Sequence, residues 1–352
     1  MWSTGAWWYL AGWLAGWLLL WRMRPLPALS PGAMPRPAVA VVVPARDESA
    51  SLPALLGPLM AGCRAGDEVL VVDDQSSDDT AAVATAAGAR VLAAPDLAPG
   101  WLGKPAACAA GAAATSAPVL VFLDADVRPP ADLLDRAAAA VAAAPDTLVS
   151  VQPRHVTERG YEQASLLPNV VALMGVGRFA VVPGGGARRP VAFGPVLAVR
   201  RDVYDAAGGH GHPDVRGAVL EDVALARRVG RSEVFTGGPD VTFRMHPGGW
   251  REMVRGWTRS MVLGATVGPW WAVLGVAAWV TSLAGGLFAT LIAYPLSAVQ
   301  VWVLGRRAGA FRWWAPLVYP VLVVAFVVMV VRAALLRVAG RGIVWKGRDV
   351  IR

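Results

Sequence analysis

An α/β fold with a mainly parallel sheet, carried between membrane-spanning ends, is predicted by three features of this sequence. Short apolar runs at Val39–Val43, Val69–Val72 and Val119–Leu123 alternate with helix-compatible stretches at 49–62, 78–87 and 104–114, the rhythm of a parallel α/β sheet. A polar cluster closes each run: Ala45-Arg46-Asp47-Glu48, Asp73-Asp74-Gln75-Ser76 and Asp124-Ala125-Asp126. Ligands of such sheets bind at strand carboxyl ends, so the clusters mark the candidate site. The 352 residues are 55% apolar, include 16 Trp and have a mean hydropathy of +0.47, too apolar for a purely soluble protein. The charged residues concentrate in the middle, which separates apolar ends from a globular centre.

The chain opens with residues 2–21, uncharged and long enough to span a bilayer. Arg22, Arg24 and Arg36 follow this run instead of preceding it, so residues 1–22 read as an uncleaved anchor with the following chain cytoplasmic. Gly12 and Gly16 form one G-x-x-x-G, suited either to a dimer face or to packing against the chain's own helices. The Pro-rich piece 23–37 is a linker, and 38–260 is the expected catalytic domain. Within it, 161–183 is expected to be an amphipathic helix, under the site or against the membrane. Strand-like pieces are expected at Val191–Val199 and Val241–Met245, with a helix from Glu221 to Val229 between them. The region 261–336 holds two or three spans, with a hairpin turning near Ser282–Gly286 and a further span at Trp313–Val331. Three spans there would put the basic tail 337–352 outside, against the positive-inside tendency; the cytoplasmic tail is the favoured reading. The net charge of +8 stems largely from arginines beside apolar segments, which directs it to lipid headgroups and topology and away from nucleic acid. Cys63 and Cys108 are too few for a disulfide framework or a metal cluster.

Asp124 and Asp126 stand i and i+2 after a five-residue apolar run, so a strand would set both acids on one face. Two oxygen ligands at a strand end suit a hard divalent cation, Mn2+ or Mg2+, that also holds phosphates; taken alone, such a pair more often marks a strand running into a solvated acidic turn. Strand one ends in Pro44-Ala45-Arg46-Asp47-Glu48 without the G-x-G-x-x-G of a dinucleotide fold. The glycine run Gly184–Gly186 lacks a strand-turn-helix context and reads as a loop. Asp74 can accept from a base or ribose, or cap the next helix. Lys104, in Gly100-Trp101-Leu102-Gly103-Lys104, offers a cation to a diphosphate. Glu221 and Asp222 head a helix, as a general base with its neighbour or as complements of the helix dipole. Arg251, Arg255 and Arg259, at helical spacing, precede the apolar region, and Trp250 and Trp257 suit the headgroup level. His210 and His212, in a Gly-rich loop, read as solvated turn residues, whereas His246 is a candidate to face the donor.

The order V-V-V-P-A-R-D-E (41–48), V-D-D-Q-S-S-D-D-T (72–80), G-W-L-G-K (100–104), D-A-D (124–126) and E-D (221–222) resembles the family 2 glycosyltransferases. P-G-W-L-G-K-P-A-A (99–107) and V-W-K-G-R (344–348) are similar to membrane-anchored hopanoid-associated and carotenoid-acid members. The resemblance implies the A-type nucleotide-sugar transferase fold and a nucleoside-diphosphate sugar donor, most often a UDP-sugar. It implies that Pro44, Ala45, Arg46, Glu48 and Asp74 line the nucleotide pocket with Lys104 and Asp124. Asp126 would be the direct ligand of Mn2+ or Mg2+, Asp222 the base and Glu221 its neighbour. Apart from the resemblance, Trp257, Arg259 and His246, close before the apolar region, are the acceptor or gating candidates. Where polymerising members carry Q-x-x-R-W, this chain reads Gly256-Trp257-Thr258-Arg259, which suits transfer of a single sugar to a lipidic acceptor: a carotenoid acid, a hopanoid or a polyprenyl phosphate. A nucleotidyltransferase would show a Gly-rich basic loop after strand one, and a non-catalytic scaffold would not need Asp74, Asp126 and Asp222 together.

Overall fold

The computed structural model describes residues 4–29, 36–181, 190–264, 267–289, 291–339, 344–345 and 348–349. The glycine run Gly184–Gly186, the middle of the Pro-rich linker and, in the basic tail, Arg341, Lys346 and Arg352 lie outside these residues. The chain divides into two compact units, Arg24–Arg154 with Ala187–Phe243, and Met1–Met23 with His155–Gly186 and Arg244–Arg352. The stretch 38–260 expected as one catalytic domain therefore contributes to both.

The first unit is the sheet. Its strands are Val39–Ala45 (β1), Glu68–Asp73 (β2), Arg90–Ala93 (β3), Val119–Leu123 (β4), Leu148–Gln152 (β5), Val196–Arg200 (β6) and Ser232–Thr236 (β7). Their spatial order is β3-β2-β1-β4-β6-β5-β7. All neighbours run parallel except β6, which is antiparallel to both β4 and β5. The expected strand 191–199 begins only at Val196, because Pro195 has no N–H to give a central ladder. The piece at 241–245 is reduced to Thr242–Phe243, paired with Val127–Arg128. Alternate residues of β1 enter two cores. Val39, Val41 and Val43 pack with Leu52, Leu56 and Leu134, whereas Ala40 and Val42 pack with Leu70, Val72 and Cys108. Burial on both faces is why these strands read as unbroken apolar runs rather than as alternation.

Helices Leu52–Ala61, Thr80–Ala86, Gly103–Ala113, Leu133–Ala143 and Glu221–Val229 belong to the same unit. The Gly103–Ala113 helix lies tight on the sheet: a Cβ at Gly111 would stand 2.3 Å from a Val42 methyl.

The second unit is helical: Thr4–Leu19 (α1), Leu166–Gly175 (α2), Trp250–Gly264 (α3), Trp270–Ala289 (α4), Ala293–Ala308 (α5) and Tyr319–Val338 (α6). Among the described residues one helix, Ala315–Val338, is long and apolar enough to cross a membrane. The G-x-x-x-G is spent inside the chain. Cβ atoms at Gly12 and Gly16 would stand 2.3 Å from the Ala278 carbonyl oxygen and 2.5 Å from the Trp279 ring. The turn expected at Ser282–Gly286 lies later, since α4 runs on to Ala289; Ser282 Oγ donates to the Trp279 carbonyl of its own helix, and Gly286 packs beneath Tyr9. The segment 161–183 is a 3-10 turn, Gly160–Ser165, followed by the ten-residue α2, and not one amphipathic surface helix. Its polar groups are buried with partners: Glu162 pairs with Arg244 at 2.8 Å, and Asn169 donates to the Ala308 carbonyl at 3.1 Å.

Candidate active site

The first half of the site follows from parallel register. Ala45 pairs with Asp73, so β1 and β2 end side by side, and the Asp74 N–H donates to the Ala45 carbonyl at 2.8 Å. The loops beyond are laced together. Asp47 takes a left-handed φ of 51°, which lets its N–H donate to Ser76 Oγ and its carboxylate accept from the Ser77 N–H at 2.7 Å. One residue on, the Glu48 N–H donates to Thr80 Oγ1 at 2.8 Å, and Ser49 Oγ donates to Asp78 at 2.6 Å. These bonds hold Asp47 and Asp78 below the usual carboxylate range, Asp47 through Ser77 and Asp78, at about 2, through Ser49 and then Thr80. They hold the loop carrying Arg46 and Glu48 against the loop that follows Asp74, and Arg46 lies 3.8 Å from Asp74.

The second half gathers around Lys104. Its ammonium lies 2.7 Å from Asp124 Oδ1 and 2.8 Å from Glu221 Oε1, tying the end of β4 to the head of the Glu221–Val229 helix. Burial alone would lower the lysine's pKa, but the two carboxylates outweigh it and keep the group charged. Asp124 donates its N–H to the Pro195 carbonyl at 2.9 Å, which sets Gly194 beside the cluster. A Cβ there would stand 3.1 Å from Lys104 Nζ and 3.3 Å from Asp222 Oδ2. Asp222 accepts from the Val223 N–H at 2.9 Å and is nine-tenths buried. Burial and then Glu221 push its carboxyl up to about 7, the range in which a carboxylate serves as a proton acceptor near neutrality.

Asp126 is likewise pushed up to about 7, first by burial and then by the negative charges of Asp124 and Glu48. A cation at this point relieves that repulsion, and hard carboxylate oxygens are the donors Mn2+ and Mg2+ take. Among the described residues no group of three or more His, Cys, Asp or Glu side chains surrounds one point. Asp124 and Asp126 offer hard carboxylate oxygens of the kind such a cation takes, without completing its ligand shell.

Trp257 and His246, with Arg259 on the same helix as Trp257, belong to the helical unit. Trp257 is not a ring at headgroup level: it is buried, its indole N–H donates to Ser165 Oγ at 2.8 Å, and His246 meets it edge-on at 5.9 Å. The buried indole needed a polar partner, and Ser165 supplies it. Trp250 is exposed. His210 is not a solvated turn residue. It is buried against Phe122, and its Nδ1 is 3.0 Å from the Tyr204 hydroxyl. His212 caps a short helix by accepting from the Asp214 N–H.

Sequence reasoning missed Gly194 and the Asp47, Ser77 and Asp78 lacing. Only the Gly194-Pro195 dipeptide, a turn signal, pointed to the first. The run of small polar residues at 75–78 pointed to a loop and not to its partner.

This arrangement of strand ends and carboxylates agrees with what the chain matches. Residues 40–204 match the family described as Glycosyl transferase family 2. It is 31% identical over 237 residues to the 4,4'-diaponeurosporenoate glycosyltransferase of Staphylococcus haemolyticus (strain JCSC1435), covering 65% of this chain and 62% of that protein. To the protein of the same description from Staphylococcus aureus (strain MRSA252) it is 32% identical over 238 residues, with the same shares. The chain thus spans 62% of the length of these relatives. Among solved structures, the mannosyltransferase PcManGT from Pyrobaculum calidifontis, in complex with GDP-Man and Mn2+, superposes with a TM-score of 0.52 at 19% identity. That match covers 93% of this chain and 96% of the other, and it supports the fold.

Proposed function

We propose that this chain is a membrane-bound, inverting glycosyltransferase that moves one sugar from a nucleoside-diphosphate sugar to a lipidic acceptor, with residues 38–260 on the cytoplasmic side. The observation that carries the reading is the Lys104 bridge, which sets the Asp124 and Asp126 pair and the Glu221 and Asp222 pair around one cation. Pro44, Ala45, Arg46, Glu48 and Asp74 bind the nucleotide. Mn2+ or Mg2+ would be held by Asp126, with Asp124 beside it, and supplies charge neutralisation to the departing diphosphate. Lys104 is placed to assist as a fixed positive charge. Asp222 takes the proton of an acceptor hydroxyl as its oxygen attacks the anomeric carbon and the carbon–diphosphate bond breaks.

The acceptor class is supported by the diaponeurosporenoate relatives, which point to a carotenoid acid, and by the apolar helices, which also suit a hopanoid or polyprenyl phosphate. These acceptors differ in one chemical respect. A hydroxyl must lose a proton, whereas a carboxylic acid or phosphate arrives ionised and needs no base. Radiolabelled UDP- and GDP-sugars incubated with the enzyme, divalent metal and a lipid extract should put label into the lipid fraction; no turnover of any donor refutes the reading. Asp222→Asn should lower transfer to a hydroxyl acceptor by about 10²–10⁴-fold while donor binding survives. Equal loss of donor binding would make Asp222 a binding or structural residue.

A further inference from the structure

The helical unit segregates its charge. Helices α1 and α4 hold no Asp, Glu, Lys or Arg, and the only charges of α5 and α6 are Arg306 and Arg307, and Arg332 and Arg337, toward their carboxyl ends. Side-chain contacts show how the helices run. The Tyr9 hydroxyl donates to the Ala293 carbonyl at 2.9 Å, and Arg307 donates to the Met23 carbonyl at 3.2 Å, so α1 and α5 run the same way. Gly275 packs on Leu19 and Gly286 on Tyr9, so α4 runs opposite to both.

Helix α6 starts beside the first turn of α5. Tyr294 donates to the Leu317 carbonyl, and the Tyr294 and Tyr319 rings are 5.3 Å apart. Ten residues on, Met329 packs with Ala164, next to the segment where Gln163 accepts from the Arg312 N–H and Asn169 donates to the Ala308 carbonyl. That segment lies at the carboxyl end of α5. Helix α6 is therefore parallel to α5, and Arg332 and Arg337 emerge at the end that carries Arg22, Arg306 and Arg307. Between this end and the charge-free end the outer faces are apolar, with Trp7, Leu291, Ile292, Val299, Val321 and Val328 exposed. The 20 residues of α4 measure about 30 Å at the helical rise, matching a bilayer's hydrocarbon core.

We propose that a lipid bilayer covers this belt, with the arginines among anionic headgroups of the cytoplasmic leaflet, and that the chain from Trp313 to Val338 is re-entrant. It enters through 313–318 and leaves along α6 at the same face. The helix long enough to cross therefore does not cross, and Val338 lies on the side of Arg22. The turn at its inner end is the 3-10 helix Ala315–Val318, which bonds much of its own backbone; Ala315, Pro316 and Tyr319 are buried against protein, and Leu317 and Val318 are exposed apolar groups suited to lipid. The arrangement removes the conflict that three carboxyl-terminal spans create with the positive-inside tendency. It rests on the membrane reading above, but its test does not read sugar transfer, so the two fail separately.

The test is sidedness. Val338 is 88% exposed, so Val338→Cys leaves packing alone. In a Cys63→Ser, Cys108→Ala background, a membrane-impermeant maleimide should label Val338→Cys in inverted vesicles and not in intact spheroplasts. Labelling in spheroplasts means that α6 crosses and overturns re-entry. Release of the chain by alkaline carbonate overturns the bilayer and leaves a second protein copy as the cover. Fusions after Arg352 read the same side without cysteine changes: green fluorescent protein should fluoresce and alkaline phosphatase stay inactive, and active phosphatase refutes the proposal.

Discussion

Gly194→Ala isolates the geometry of the site from the stability of the fold. The new Cβ would stand 3.1 Å from Lys104 Nζ and 3.3 Å from Asp222 Oδ2, each closer than an ordinary contact. Lys104 has little room to yield, because it is held at 2.7 Å by Asp124 and at 2.8 Å by Glu221. Either the ammonium or the Asp222 carboxylate must therefore move by a few tenths of an ångström. A displacement approaching 1 Å costs about 10²-fold in rate, so a fall in kcat of about ten- to a hundredfold is expected. Gly194 is not in the left-handed region, so alanine fits its backbone and should restrict the unfolded chain by about 0.4–1 kcal/mol. Slower turnover with an unchanged or raised Tm is the expected pair of results. The control is Gly57→Ala on the Leu52–Ala61 helix, where nothing lies within 4 Å; it should gain about 0.5–1 kcal/mol and transfer sugar normally. Wild-type turnover by Gly194→Ala would show that neither Lys104 nor Asp222 needs its present position.

Other perturbations probe the surroundings. Lys104→Met leaves Asp124 and Glu221 facing each other without their cation. A loss of about 3 kcal/mol, the low end for a broken buried pair because a quarter of the lysine side chain is accessible, should appear in denaturant melts, with partial recovery in Lys104→Arg. His210 is pushed down to about 3, by burial and then by Lys104. Below about pH 6.5 only the unfolded chain takes up its proton, so this stability is complete above that pH and is lost on acidification. The loss is about 2 kcal/mol by pH 5, and the Tm of His210→Gln should fall less steeply between pH 6.5 and 5. In the helical unit, Gly12→Ala places a Cβ 2.3 Å from the Ala278 carbonyl oxygen. Loss of about 1–3 kcal/mol in detergent and faster trypsin cleavage at Arg22 are expected; an unchanged melt would mean that α1 does not pack there.

The strand-end half of the site was legible because its residues lie at the ends of apolar runs. Once those runs are parallel neighbours, period and register bring Ala45, Asp74 and Asp124 to one edge without further information. The other half was not readable in the same way. Lys104 and Glu221 meet because β6 runs backward between β4 and β5, and nothing local to either residue signals that reversal. The same limit holds in the helices. Gln300 is the lone amide in 261–305, and an amide in apolar surroundings must find partners. Those partners are Trp279, whose indole N–H donates to Gln300 Oε1 at 2.9 Å, and the Trp13 carbonyl, which accepts from Gln300 Nε2 at 2.6 Å. Through them one side chain fixes α1, α4 and α5 against each other. The need for a partner is written in the sequence; which partner answers it depends on helices almost three hundred residues apart.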